Sequence, residues 1–309
     1  MSIIVAVVTV AMVTACTPEP SPDAPPPRSV AVTPAAEAPP PEIHAVGMRQ
    51  LHLARNKHRP LRTILLYPAA GAGQEGDPVQ DDATPAVGKF PLVIYSHGLH
   101  GTPERYVPAA AGWASAGFTV ALPAFPYTSA EAKEYREKDI KNQPADVEYV
   151  IRKIRDLGRT AGDPLQGRID ANHVAAVGHS AGGYTTSGMF TKGHDPRLKA
   201  GVVLAGWPAP GAYGGPPATM LFVHGDSDPV VPVANSWAAY DKVPWQKAFV
   251  LLPRNHHAAY MLPGNRGFPE VESLIVDFLR WTLNGDETAH GRFAVMVRNS
   301  PGDPGTMGG

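Results

Sequence analysis

Cysteine is almost absent from this chain: Cys16 is the sole one among 309 residues, so no internal disulfide can staple the fold. Charge is sparse and balanced, with 27 Lys and Arg against 28 Asp and Glu. No basic cluster offers the footprint of a nucleic-acid partner. No internal repeat is found. The apolar run Ile3–Ala15 is too short to span a bilayer as a mature helix and reads as the h-region of a secretory signal.

That run ends Val13-Thr14-Ala15-Cys16, which resembles the lipobox of a bacterial lipoprotein, where small residues precede a cysteine that is lipidated after cleavage. The alternative is an ordinary signal peptide with an incidental cysteine. Both imply an extracytoplasmic protein, in the first case membrane-bound through Cys16 only. Residues 17–41 are dominated by Pro and Ala and cannot bury a core, so they are expected to form an extended spacer. The organisation expected is therefore a signal peptide over 1–16, a linker over 17–41, one globular domain over 42–287 and a Gly/Pro-rich tail over 288–309.

Within the domain, apolar runs at Arg62–Tyr67, Phe90–Tyr95, Phe118–Leu122, Val174–Val177, Ala200–Leu204, Met220–Val223 and Phe249–Leu252 have the composition of buried strands. Helices are expected over Tyr106–Ala116, from Gln143 with Pro144 in its first turn, and over Phe268–Leu283. Val147, Val150, Ile151 and Ile154 recur at helical spacing and give the second of these one apolar face. Strands alternating with helices, several of them uninterrupted Val/Ile/Leu, indicate an α/β fold with a mostly parallel sheet covered on both faces.

Val174-Ala175-Ala176-Val177 runs straight into Gly178-His179-Ser180-Ala181-Gly182, a G-x-S-x-G pentapeptide between a strand and a helix start. This context suits a serine exposed on a sharp turn, with Gly on both sides allowing close backbone approach. A serine hydroxyl needs a general base held by a third group. Two later strand ends could supply them: His224–Pro232, with Asp226 and Asp228, and Pro253–Ala258, with His256 and His257. The chain order serine, acid, histidine is that of α/β-hydrolases. The amide of Ala181, following the nucleophile, is one expected oxyanion donor.

His97-Gly-Leu-His-Gly101, Gly178-His-Ser-Ala-Gly182, His224-Gly-x-x-Asp228-Pro-x-Val231 and the late histidine resemble α/β-hydrolase esterases. Arg62–Pro68, Phe90–Gly101, Trp113–Val120 and Asn142–Val147 resemble more closely the dienelactone-hydrolase and platelet-activating-factor-acetylhydrolase-like branch. Dienelactone hydrolases proper use a cysteine where this chain has Ser180. The resemblance implies an α/β-hydrolase fold, Ser180 as nucleophile, Asp228 as acid and Asp226 as a turn residue. It favours His257 as base over His256, because the family's histidine lies four residues past a strand-ending proline, here Pro253. It also implies Leu99 N–H as second oxyanion donor. The expected reaction is two-step acyl transfer on a small-molecule or lipid-like ester, without cofactor. His97 and His100 lack an acidic or thiolate partner at a ligand spacing, so no metal is expected.

Trp207, Tyr213 and Phe125 follow strand ends and are candidates for lining an apolar substrate site; for Trp207 and Tyr213, packing of a rigid loop is the other reading. No long amphipathic insertion interrupts the strands, which suggests an open cleft suited to short acyl chains. Alternatives on the same triad are a polyester hydrolase, thioesterase or amidase, and a non-catalytic binding lipoprotein of the same fold.

Overall fold

The computed structural model describes residues 42–74, 76–191 and 193–300. The expected signal peptide, Cys16, the whole of the expected spacer over 17–41 and the end of the expected tail, residues 301–309, lie outside the described residues. In chain order the elements are β1 (His44–Ala54), β2 (Pro60–Ala72), β3 (Gln80–Asp81), β4 (Phe90–Ser96), α1 (Pro103–Ser115), β5 (Thr119–Pro123) and α2 (Gln143–Leu157). There follow β6 (Ile169–His179), α3 (Ala181–Met189), β7 (Leu198–Leu204), β8 (Thr219–Gly225), α4 (Val233–Lys242), β9 (Lys247–Leu252), α5 (Phe268–Asn284) and α6 (Glu287–Arg298).

One 9-stranded sheet has the order β3-β1-β2-β5-β4-β6-β7-β8-β9. From β5 to β9 every pairing is parallel, while β2 runs antiparallel to both β1 and β5. Helices cover both faces, so this is the α/β-hydrolase architecture. The period of two along a strand sorts side chains between two cores. In β4, Val93 and Tyr95 join the side built with α1, α5 and α6, whereas Leu92 and Ile94 join the side built with α2 and α4. Val177 of β6 points into the first core and Ala176 into the second. Because neighbouring strands are parallel and in register, β4, β6, β8 and β9 deliver their following loops to one edge of the sheet, where open α/β sheets carry ligands.

Residues expected to be tail from 288 onward instead begin with α6. Asp286 caps that helix by accepting from Ala289 N–H, and Phe293 and Val297 enter the core beside α5. The helix has enough apolar residues on one face to be held by packing. Beyond it, the Ser300 hydroxyl accepts from Leu251 N–H (3.0 Å) and reaches Leu251 C=O (3.2 Å) on β9, the last strand of the sheet.

A buried charge cluster ties the β1–β2 hairpin to the start of α2. Arg59 spans Asp139 (2.8 and 2.9 Å) and Asp146, while Arg55 lies 3.1 Å from Asp146. Burial opposes the Arg59 charge, but its bonds to Asp146 and Asp139 outweigh this and raise its pKa. Removing one partner of a buried pair strands the other charge. Arg59→Met is therefore expected to lower the unfolding free energy by about 3 kcal/mol, read from urea midpoints, with both Asp139 and Asp146 left without their shared cation.

Candidate active site

Ser180 stands between β6 and α3 with φ 58° and ψ −119°, a left-handed conformation that costs a non-glycine residue roughly 1–3 kcal/mol. Its neighbours hold it there. Ser180 N–H donates to Leu204 C=O (2.9 Å) on the adjacent strand, and its own carbonyl accepts from Tyr184 N–H (3.1 Å). The flanking glycines are required by contact: a Cβ on Gly178 would lie 2.0 Å from Gly182 O, and one on Gly182 would lie 1.8 Å from Ser96 O. The turn is thus pressed against the end of β4.

After β4 comes the His97–Gly101 loop. A Cβ on Gly98 would sit 3.1 Å from Ser180 Cβ, so this loop and the serine are in contact. His97 is fully buried and holds the loop's shape: its Nδ1–H donates to Gly98 C=O (2.7 Å) and its Nε2 accepts from Phe125 N–H (3.3 Å). With both nitrogens engaged, His97 is not available to a metal. Burial pushes its pKa down to about 4, which keeps the ring neutral in this pattern. The amides of His100 and Gly101 are committed to Thr128 O (2.8 Å) and Gly98 O (3.0 Å). That leaves Leu99 N–H without an acceptor among the described residues. Ala181 is the first residue of α3, and N–H groups of a first helical turn have no intrahelical acceptor. Ala181 follows Ser180 directly, and the loop that carries Leu99 touches the serine through Gly98.

Asp228 follows β8 and His257 follows β9. The His257 Nδ1–H donates to Asp228 Oδ2 at 2.7 Å, which leaves Nε2 as the free basic nitrogen. His256 faces elsewhere, exposed, its Nδ1 bonded to Ser227 C=O (2.8 Å). Asp226 caps turns, its Oδ1 accepting from Arg254 N–H (2.7 Å) and Ser227 O–H (2.8 Å). The Asp228 side chain is 1 % exposed. Burial works to raise its pKa, but the amides of Val231 and Val230 and the His257 bond prevail and hold it below the usual carboxylate range. His257 is tied to the residue that precedes the serine: His179 Nε2–H donates to the His257 carbonyl (2.6 Å), with the two rings 4.7 Å apart. Burial, then the neighbouring His257, lowers the His179 pKa to about 3.

Of the expected substrate-lining residues, only Trp207 is left partly exposed. It is half-buried beside Tyr184 of α3, with ring centroids 5.9 Å apart. Phe125 is fully buried with its ring 5.0 Å from His97. It backs the His97–Gly101 loop and is not available to line a ligand, because the chain after β5 turns beneath that loop. Tyr213 is also corrected: a β-bridge to Thr191 folds its loop back, and its ring packs edge-on against Trp245 in the core. Sequence reasoning assigned no role to His179, His224, or the buried chain Thr128–Gln143–Thr185. In that chain, Gln143 donates to Thr128 Oγ1 (2.7 Å) and accepts from Thr185 of α3, linking the segment that braces the oxyanion loop to the nucleophile helix. His179 was visible as the variable position of the G-x-S-x-G pattern and His224 as the opening histidine of the H-G-x-x-D pattern, but their contacts were not.

Two outcomes follow from this geometry. His257→Ala is expected to lose about 10⁴-fold in kcat for ester cleavage, while His256→Ala stays within a few-fold of the parent in the same assay. His97 and His179 have folded-state pKa values well below 6.5, so the unfolded chain binds protons on acidification that the folded one refuses. Stability is then full above about pH 6.5 and falls toward pH 4 by up to roughly 1.4 kcal/mol per pH unit for each histidine; His97→Asn should flatten that slope in Tm measured against pH.

Among curated proteins none matches this chain. The family model described as PET hydrolase-like matches residues 110–299, a span that holds Ser180, Asp228 and His257. With more than half of the chain covered by that match and an α/β-hydrolase sheet beneath it, the protein belongs to the PET hydrolase-like family of α/β-hydrolases.

Proposed function

We propose that the protein is a secreted or lipid-anchored serine hydrolase that cleaves carboxylic esters through Ser180, His257 and Asp228. The observation that carries this reading is the Asp228–His257 hydrogen bond delivered to a strained serine turn. His257 Nε2 takes the Ser180 proton as Oγ attacks the ester carbonyl, and Asp228 holds the tautomer and the imidazolium. The tetrahedral oxyanion accepts from Leu99 and Ala181 N–H. His257 then protonates the departing alcohol, and water, activated by the same base, releases the acid from the acyl-enzyme.

Short acyl chains are the substrates we favour, because no long amphipathic insertion interrupts the strands. A polyester substrate is the second reading, favoured by the PET hydrolase-like match and by apolar side chains exposed on the loops around the site. Val230 of the acid loop is 64 % exposed, and Tyr135, 39 % exposed, stacks at 4.1 Å on His100 beside the oxyanion loop. Thioesterase and amidase activity use the same machinery, and the esterase branch with dienelactone-hydrolase and platelet-activating-factor-acetylhydrolase-like members is the finer placement we favour. Extracytoplasmic location rests on the Ile3–Cys16 segment.

Nitrophenyl esters from acetate to palmitate, offered to the parent and to Ser180→Ala, test the proposal. Turnover by the parent that falls with chain length and vanishes in the variant is expected. Equal rates in both proteins, or no turnover together with no labelling by an organophosphonate, would leave the non-catalytic binding lipoprotein as the better reading. Soluble oligomers released from an aromatic polyester film would extend the activity to polymers.

A further inference from the structure

His224 sits at the end of β8, fully buried, four residues before the acid. Its Nε2 lies 2.8 Å from Val231 C=O and 3.2 Å from Asp228 Oδ2. A carbonyl and a carboxylate only accept, so Nε2 carries a proton and shares it between them. Asp228 Oδ2 is the same oxygen that accepts from His257 Nδ1, while Oδ1 is filled by Val230 and Val231 N–H (2.8 and 2.9 Å). The carboxylate thus has two claimants on one oxygen. On the far side of the ring, Nδ1 lies 2.7 Å from Ser236 Oγ of α4, which is also 2.9 Å from Gly206 C=O, the residue before Trp207. Ser236 is fully buried too.

We propose that His224 is a positioning residue that sets the strength of the acid. By donating Nε2–H to Asp228 Oδ2, it draws off part of the negative charge that His257 would otherwise receive, and Ser236 fixes the ring that makes this donation. The inference rests on the Ser180–His257–Asp228 reading above and adds the control of its base. Removing the donor concentrates charge on Asp228, tightens its bond to His257 and makes His257 more basic. The titratable groups that face this pair from the surrounding elements are His179, His224 and Tyr260, with Arg105 acting at longer range. Neither His179 nor Tyr260 is hydrogen-bonded to His224, whose partners are Ser236 and Val231.

The test compares His224→Leu, which removes the donor, with His224→Gln, whose amide N–H reaches the same point. The acid limb of kcat/KM against pH is expected to move upward by roughly half a pH unit in the Leu variant, the size of one weakened bond to a carboxylate, and to stay at the parent position in the Gln variant. In ¹H NMR the proton between His257 Nδ1 and Asp228 is expected to move downfield in His224→Leu. Ser236→Ala, a smaller change remote from substrate, should shift both readouts in the same direction by less, and it decides alone if the Leu variant is not folded by circular dichroism. An unmoved acid limb with activity lowered equally in the Leu and Gln variants would overturn the proposal, as would an unmoved resonance. Failure of the functional reading is distinct: the parent would then lack ester turnover altogether, while the resonance would still report on the hydrogen bond.

Discussion

At residue 182 there is space for a hydrogen atom and nothing more. The end of β4, the nucleophile turn and the first turn of α3 meet so closely that a Cβ there would fall 1.8 Å from a carbonyl oxygen. This contact sets the distance between the loop that would supply Leu99 N–H and the helix that would supply Ala181 N–H. It also presses Ser180 into its left-handed conformation. Strain of that kind persists only where the surroundings over-determine it. Here they do so through β7, which binds Ser180 N–H, and through Gly183, which faces Gly206.

Around this contact, burial sorts the histidines by role. His97 and His179 are dry and neutral, each giving one nitrogen proton to a backbone carbonyl. They act as shaped polar spacers that connect loops. His257 is partly exposed and has its Nδ1 held by a carboxylate, which leaves the other nitrogen able to move a proton. These three histidines therefore differ in behaviour because of what surrounds them, not because of what they are. Tyr260, buried three residues past His257, anchors the loop that carries His257 to the core.

Most of the central sheet was legible because β4, β6, β7 and β8 each contain a short unbroken apolar run. The first strand was not: His44–Ala54 places Arg49, Gln50 and His52 among its apolar residues, as suits a strand only partly covered. Helix α3, AGGYTTSGM, is buried on nearly every side, so no polar face marks its period. In α4 only Ser236, Ala239 and Tyr240 are buried, too few for a visible stripe. At the site, motif and chain order pointed to Ser180 and the Asp228 loop. Adjacent histidines, however, point in different directions from one turn, and only the turn's geometry separates His257 from His256. Phe125 and Tyr213 were misread because a chain reversal after each strand carries the ring inward, and reversals are not encoded in composition.

The bond between Ser300 and Leu251 bears on how this molecule behaves in company. A border strand offers a row of free amides and carbonyls to any extended chain that drifts by, its own copies included. On β9 a single hydroxyl occupies both groups of one residue, and α6 holds that hydroxyl in place by its seat in the core. Helix α6 thus serves as a selvedge, tying off one stitch of the border where a neighbouring sheet could otherwise continue the weave.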